Sequence, residues 1–400
     1  MDKYISIDKI VHTISKTHKF DKEKLYAINT SDVLEGEIIN APLMEVSELK
    51  GQFKKTIEKG DLLFSEIRPA NKRYAKVKIE DTRDYVVSTK LMVLRKYNDE
   101  VDFDYFYYCL TNEWFLNILQ KRAENRICSF PQITFDLLSE YKFRIPQLSE
   151  QKRIAETLSL LDQKIALNTR INAELEAMAK QLYDYWFVQF DFPDENGNPY
   201  KSSGGQMVYN STLKREIPAG WEIKPLRDLL ILEDSRRIPL SNKERENRKG
   251  IYPYYGATGI MDYVDNYIFD GDFLLLAEDG STSDENGNPV VQYIWGKNWV
   301  NNHAHIIHVG SEKILQYYYF LLKTIPVVLI ETGSIQKKIS QDNLLAYSTV
   351  CPPESKIEEY CNIASSFREK QKNVIDEIKY FTHLRDSLLP MLMNGQVTVE

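Results

Sequence analysis

Cysteine is scarce: the chain has four, Cys109, Cys128, Cys351 and Cys361, and no two form a C-x-x-C pair. Neither a zinc ribbon nor a disulfide framework is indicated, and free buried thiols in a reducing cytosol account for them. No apolar run reaches the ~18 residues of a membrane span. Residues 1–11 alternate charge with apolar side chains and lack the apolar centre of a secretion signal. These absences describe a soluble, cytoplasmic protein without a membrane partner. Glycine-rich phosphate loops of both kinds are missing, so nucleotide hydrolysis and dinucleotide binding lack their usual signal. Positive charge is also in the minority, 51 Lys and Arg against 58 Asp and Glu, for a net charge of -7. That balance speaks against a surface coated in positive charge but says little about any one cleft.

What is present is an ordinary globular composition, 43% hydrophobic and 27% charged, over 400 residues. It is too apolar for a disordered chain and too long for one core, so two or more domains follow. The chain also repeats itself. Gly60-Asp61-Leu62-Leu63 recurs as Gly271-Asp272-Phe273-Leu274 at an offset of 211, and the aromatic run Tyr105 to Leu110 returns as Tyr317 to Leu322 at an offset of 212. Ile133 to Leu138 is echoed by Ile339 to Leu344, and Pro146 by Pro352, both at an offset of 206. Four matches in one order imply two copies of one unit. Each copy opens with short β-branched and aromatic runs (Asp61 to Phe64 and Tyr85 to Leu94; Asp272 to Leu276 and Val290 to Trp295). An aromatic helical stretch and a proline-led terminal segment follow, the grammar of two mixed α+β globules.

The proline-led segments are long amphipathic helices. Ile154, Leu158, Leu161, Ile165, Leu175 and Leu182 form one apolar stripe, and Phe367, Val374, Ile378, Phe381 and Leu388 fall on the other, which starts at Ile357. At a 1.5 Å rise a helix of about 40 residues spans roughly 60 Å. Stripes this narrow need a partner, and pairing as a coiled coil is the economical solution; the alternative is that each helix lies on its own globule. Asn168, Asn172, Gln371 and Arg385 interrupt the seam and would fix its register at some cost in stability. The fold class is therefore α+β, two tandem α/β domains separated by two long helices. The expected boundaries are 1–145 for the first domain, 146–190 for a central helix, 191–216 for a linker, 217–351 for the second domain and 352–400 for a C-terminal helix.

The linker is assigned on composition: Pro-Asp-Glu-Asn-Gly-Asn-Pro followed by Ser202-Ser203-Gly204-Gly205. Asp194, Asn196 and Asn198 imitate a calcium loop, but Pro199 stands where that loop needs glycine and Gly205 where it needs glutamate, so calcium is rejected. The six residues Asp-Glu-Asn-Gly-Asn-Pro recur at 284–289, where Asn286-Gly287 between apolar runs reads as a hairpin turn.

Catalytic signals are weak. Pro193-Asp194 with Glu222-Ile223-Lys224 is only loosely like a metal-dependent nuclease site, and no Asn/Asp-Pro-Pro-aromatic run of adenine methyltransferases occurs. His303, His305 and His308 are the best metal candidates. In a strand His303 and His305 would share a face while His308 points away, two ligands where zinc wants three or four, so no metal site is assigned. Local basic stretches are more informative. Arg68, Lys72, Arg73, Lys76 and Lys78 cluster after the Gly60-Asp61 run, and Arg236, Arg237, Lys243, Arg245, Arg248 and Lys249 cluster early in the second copy. Polar loops of this kind can approach phosphates and base edges, although a solvated charged loop is the bland alternative. Arg68, Asn71 and Arg73 suit bidentate contacts to guanine or adenine, and Asn301, Asn302 and His303 would play that part in the second copy. Gly280-Ser281-Thr282 would let backbone approach a phosphate, and Lys337 and Lys338 are expected on phosphates. The DNA-binding candidates are thus Arg68, Asn71, Lys72, Arg73, Lys76, Arg236, Arg237, Ser281, Thr282, Asn301, Asn302, His303, Lys337 and Lys338.

Several runs are similar to a known family. Ile145-Pro146-Gln147-Leu148-Ser149-Glu150-Gln151-Lys152-Arg153-Ile154-Ala155 with Leu160-Leu161-Asp162 resembles the helix start of the specificity (S) subunit of type I restriction-modification systems. So do Tyr185-Trp186-Phe187, Phe190-Asp191-Phe192-Pro193, Tyr200 to Gly205, Ile217-Pro218-Ala219-Gly220-Trp221, and the ending Leu384 to Pro390 with Met393-Asn394-Gly395. The second helix departs from the pattern at Pro353, Glu354 and Lys356-Ile357-Glu358. The resemblance implies that each globule is a target recognition domain reading one half of a bipartite double-stranded DNA site. It implies an antiparallel helix pair that sets the gap and docks two modification subunits, which bind S-adenosylmethionine and methylate adenine. A restriction subunit, using ATP and Mg, would add cleavage. The chain itself would be non-catalytic and carry no cofactor. The competing readings are a coiled-coil scaffold or adaptor whose globules bind non-DNA ligands, and a nuclease using Asp194 and Glu222.

Overall fold

The computed structural model describes residues 3–49, 51–124, 132–333 and 337–399; Cys128 lies outside them. The chain divides into two compact units, Met1–Leu167 with Glu377–Glu400, and Asn168–Asp376. This differs from the expected division, in which the helices stood apart from the globules. Each long helix instead lends one half to each unit, because its stripe is buried on a globule core as well as on its fellow helix.

In the first unit, four strands pair in the order Val11–Thr13, Leu91–Lys96, Leu62–Ser65, Tyr74–Lys76, every neighbour antiparallel. The unbroken apolar run Leu62-Leu63-Phe64 suits a strand covered on both faces. Leu62 and Phe64 pack with the aromatic helix Phe103–Thr111, while Leu63 joins a second core with Ala75 and Val93. The side chain of Asp102 caps that helix by accepting from the Asp104 and Tyr105 N–H groups, so its buried aromatic face starts at a fixed point. Strands Lys3–Ser6 and Lys142–Ile145 pair and lead into the central helix, Leu148–Tyr183.

The second unit repeats this plan. Its sheet runs Ile231–Leu232, Ala304–His308, Phe273–Ala277, Val291–Ile294, again antiparallel throughout. The buried helix Leu315–Lys323 occupies the place of Phe103–Thr111, and the pair Glu222–Pro225 with Ser348–Cys351 leads into the C-terminal helix, Glu354–Met393. The units differ in their second sheets. A second sheet has four strands in the first unit, ordered Leu43–Glu45, Lys24–Ile28, Tyr85–Ser88, Phe53–Lys55, but three in the second, Ile260–Val264, Lys249–Tyr255, Trp299–Val300. Among the described residues the latter has no counterpart of Phe53–Lys55.

The helices run antiparallel within each unit. In the first, Arg385 on the C-terminal helix donates to Asp162 on the central helix (2.9 Å). In the second, the Gln371 amide donates to the Asn172 carbonyl (3.3 Å) and the Tyr360 hydroxyl to that of Ala179 (3.2 Å). Of the seam residues, Ile154, Leu158 and Leu175 are buried, and Leu161, Ile165, Leu182, Phe367, Val374, Ile378, Phe381 and Leu388 are half-buried. Seam and globule contacts therefore coexist. Gln371 is a buried polar member of the seam, as its position in the stripe suggests.

Residues 191–216, expected to be a linker, are folded into the second unit. Phe192 is buried and stacks on Trp221 (5.1 Å), the Asp191 carboxylate accepts from Ser202, and Met207–Asn210 pairs with Arg215–Pro218. Polar composition concealed the aromatic anchors. The repeated hexapeptide makes the same turn twice: Oδ1 of Asp194 accepts from the Asn196 and Asn198 N–H groups, and Oδ1 of Asp284 from those of Asn286 and Asn288. Gly197 and Gly287 supply the left-handed backbone, at φ 79° and 77°. Asp194 is thus occupied by its own turn and Glu222 is paired with Lys224 (2.9 Å), which leaves the nuclease reading without a free carboxylate pair.

Candidate nucleic-acid interface

In the second unit the central strand Phe273–Ala277 ends on Glu278, and the backbone of Glu278 gathers two further segments. Its N–H donates to the His303 carbonyl (2.9 Å), and its own carbonyl accepts the Ile339 N–H (2.8 Å). Residues 278–283, 301–303 and 337–339 therefore meet at one end of the sheet. That brings together Ser281, Thr282, Asn301, Asn302, His303, Lys337 and Lys338, which are far apart in sequence. Beneath them lies a buried ionic cluster. The Glu278 carboxylate takes Arg237 (2.7 Å) and Lys338 (2.8 Å), and Asp234 takes His305 (2.5 Å), the Ile306 N–H and Gln341. Burial alone would raise both carboxyls. The hydrogen bonds from His305 and Ile306 hold Asp234 below its ordinary range, and those from Lys338 and Arg237 do the same for Glu278.

The side chains divide by what they touch. Ser281, Asn302 and His303 are exposed, His303 resting on Asp279 (2.7 Å). Lys337 and Lys338 are exposed but paired, Lys337 with Glu331 (2.8 Å). Arg237 turns inward, spending Nη1 on Glu278 and on the carbonyls of Asn302 and Ala304, so it belongs to the scaffold. Thr282 and Asn301 are buried too, 1% and 5% exposed, Thr282 donating to Glu331 and the Asn301 amide facing Met261. Their polar character pointed to DNA, but backbone bonds in the loops that carry them, from Asn301 to the Tyr255 carbonyl and from Val290 to the Thr282 carbonyl, accompany side chains turned to the interior. Arg236 pairs with Glu233 and lies over the Phe269 ring. Arg245 and Lys249 share Asp262, and Arg248 pairs with Asp265.

The three histidines part company. His303 is exposed, His305 is 1% exposed, and His308 packs beside the Phe273 ring. Among the described residues Asp234, Glu278 and His305 approach to within 4.8 Å of one another, a spacing a cation could use. Arg237 and Lys338 already supply that positive charge, so the cluster is complete as an ion-pair network.

In the first unit, Arg68 and Lys72 both adopt left-handed backbone (φ 48° and 54°) and frame the short turn Pro69–Asn71. Arg68 and Asn71 are exposed on this turn. Lys72 stands 3.5 Å from Glu35. Arg73 folds back, donating to the carbonyls of Ser31 (3.0 Å) and Val33 (3.2 Å), and Lys76 pairs with Asp104 and covers the Tyr107 ring. Sequence reasoning missed Glu66 and Glu278. Both close the apolar central strand, at an offset of 212, and that match was the available signal.

Two copies of one fold, each gathering exposed polar loops at the end of a sheet and each joined to paired helices, define a two-domain recognition protein. The family described as the type I restriction modification DNA specificity domain matches residues 5–177 and again residues 218–380. The chain belongs to this family. It is 40% identical over 190 residues to the type I restriction enzyme HindI specificity subunit of Haemophilus influenzae, covering 47% of this chain and 41% of that protein. It is 25% identical over 323 residues to the MjaIX specificity subunit of Methanocaldococcus jannaschii, covering 76% and 71%. The chain therefore spans less than half the length of the HindI relative. The fold is also that of the type I restriction-modification S subunit from M. genitalium, with a TM-score of 0.55, 16% identity, and coverage of 98% of this chain and 96% of that one. Among the described residues no helix is long and apolar enough to cross a membrane.

Proposed function

We propose that the chain is the non-catalytic DNA sequence-specificity subunit of a type I restriction-modification assembly, working in the cytoplasm. Each unit reads one half of a bipartite double-stranded target. The paired helices set the gap between halves and dock two modification subunits, and restriction subunits join the same assembly. S-adenosylmethionine belongs to the modification subunits and ATP with Mg to the restriction subunit. The observation that carries this reading is the duplication: one sheet order, twice, with an exposed polar edge gathered around a strand-ending glutamate each time. The loops offer Arg68, Asn71 and Lys72 in the first unit and Ser281, Asn302, His303, Lys337 and Lys338 in the second. Arg and Asn suit bidentate readout of guanine and adenine, and lysine suits phosphate.

The test is co-expression with its modification subunit and long-read mapping of methylated adenines. A bipartite motif with a fixed gap is expected. Inserting one helical turn into both long helices should change the gap and leave both half-sites unaltered. Changed half-site bases with an unchanged gap would overturn the spacer role, and a chain that directs no methylation would favour a scaffold without DNA.

A further inference from the structure

The two units share a clamp that is built from unrelated parts of the chain. In the second unit, Nη1 of Arg237 donates to the carbonyls of Asn302 (3.3 Å) and Ala304 (2.8 Å), the residues on either side of His303. The carbonyl of His303 itself accepts the Glu278 N–H. In the first unit, Nζ of Lys55 donates to the carbonyls of Thr89 (3.0 Å) and Leu91 (2.7 Å), on either side of Lys90. The carbonyl of Lys90 accepts the Glu66 N–H (3.0 Å). Three consecutive carbonyls are thus held in each unit, and the side chain of the middle residue, Lys90 or His303, is exposed, with Asn302 also exposed beside His303. The frames also coincide. Leu91 pairs with Ser65 where Ala304 pairs with Ala277, and Ile133 donates to the Glu66 carbonyl (2.7 Å) where Ile339 donates to that of Glu278.

The cation differs in origin because, among the described residues, the second unit has no counterpart of the strand that carries Lys55, Phe53–Lys55. Arg237 reaches the same carbonyls from the end of the turn Asp234–Arg236. Burial pushes the Lys55 amine below its ordinary range, opposed by the charge of Glu66, so placing it there is unfavourable unless the position it fixes is needed. A backbone held at three carbonyls fixes the point and direction from which the middle side chain leaves the main chain, which limits the base edges that side chain can reach.

We infer that Lys90 is a specificity-determining DNA contact of the first unit, the counterpart of His303 in the second, and that Lys55 and Arg237 are the positioning residues that aim them. This rests on the reading of the chain as a DNA-specificity subunit. The test uses the full chain with its modification subunit and maps methylated adenines for Lys90→Ala, Lys55→Met and Lys55→Arg. Lys90→Ala should relax at least one base of one half-site about tenfold and leave the other half-site as it was. Lys55→Met should relax the same base, and Lys55→Arg should restore it, a pattern a merely structural lysine would not give. A bipartite wild-type motif that Lys90→Ala leaves unchanged, or loses evenly at all bases, overturns the inference while upholding the function. A wild-type complex with no bipartite motif overturns both. Lys90 is exposed, so its variant decides the matter even if Lys55→Met fails to fold.

Discussion

The two units have the same sheet order and the same buried aromatic helix, yet the glutamate that ends each central strand lives in different company. Glu278 is buried between Arg237 and Lys338, near a hydrogen bond of Asp234 with His305. Glu66 is half-buried and takes the neutral amide of Gln132 (2.8 Å). Fold and carbonyl clamp are common to both units, whereas the charge that supports them is local. A duplicated scaffold can therefore keep its geometry while each copy changes the groups that hold it.

Shared parts should respond alike. Leu110 and Leu322 are both 0% exposed at matching places, and alanine at either should cost ~2–5 kcal/mol in urea unfolding. A loss at one only would break the equivalence of the cores. The unlike parts should separate next. Glu278→Ala strands Arg237 and Lys338 near a buried site and should cost about 3 kcal/mol or more, since removing one partner of a buried pair leaves an uncompensated charge. Glu66→Ala, at a half-buried site where the hydrogen-bond partner is the neutral Gln132 amide and the charge of Lys55 is only a neighbour, should cost less, ~1 kcal/mol. Equal losses would mean that the ionic cluster adds nothing.

Acid should expose the same contrast. Asp234 and Glu278 are held below the ordinary carboxylate range, so their contribution is present above about pH 4 and disappears as pH falls through the depressed folded values. Amide exchange offers a matched pair of probes, Ile133 on the Glu66 carbonyl and Ile339 on that of Glu278. On acidification Ile339 should lose protection before Ile133, and Glu278→Gln should flatten its pH dependence. Simultaneous loss would show that the cluster does not set local stability. The smallest effects belong to the exposed loops. Arg68→Ala and Asn302→Ala should each stay within about 0.5 kcal/mol of wild-type stability. Methylation mapping should show each relaxing one half-site, a different one in the two cases.

Much of this was legible in the sequence because its signals are periodic or repeated. The stripe through Ile154, Leu158 and Leu175 marked a buried helix face, and the offsets near 211 marked the duplication. What stayed hidden depends on register and on distant partners. Thr282 and Asn301 look like surface donors in a polar loop, and only the folded packing of those loops shows them buried. Arg237 and Arg73 look like DNA contacts, and only the fold shows their guanidinium groups spent on backbone carbonyls. The stretch 191–216 looked loose because Asp, Asn, Gly and Ser outnumber the two or three aromatics that pin it.

Arg68 stands two residues beyond Glu66, and Gly280 two beyond Glu278; both hold left-handed backbone, at φ 48° and 75°. Glycine takes this conformation freely, whereas an arginine forgoes ~1–2 kcal/mol there. Replacing Arg68 by glycine would steady the first unit and at the same stroke erase the guanidinium it offers to DNA. Selection for durability and selection for discrimination thus pull in opposite directions at a single codon, and lineages of this chain should be seen to alternate there between glycine and a donor-bearing side chain.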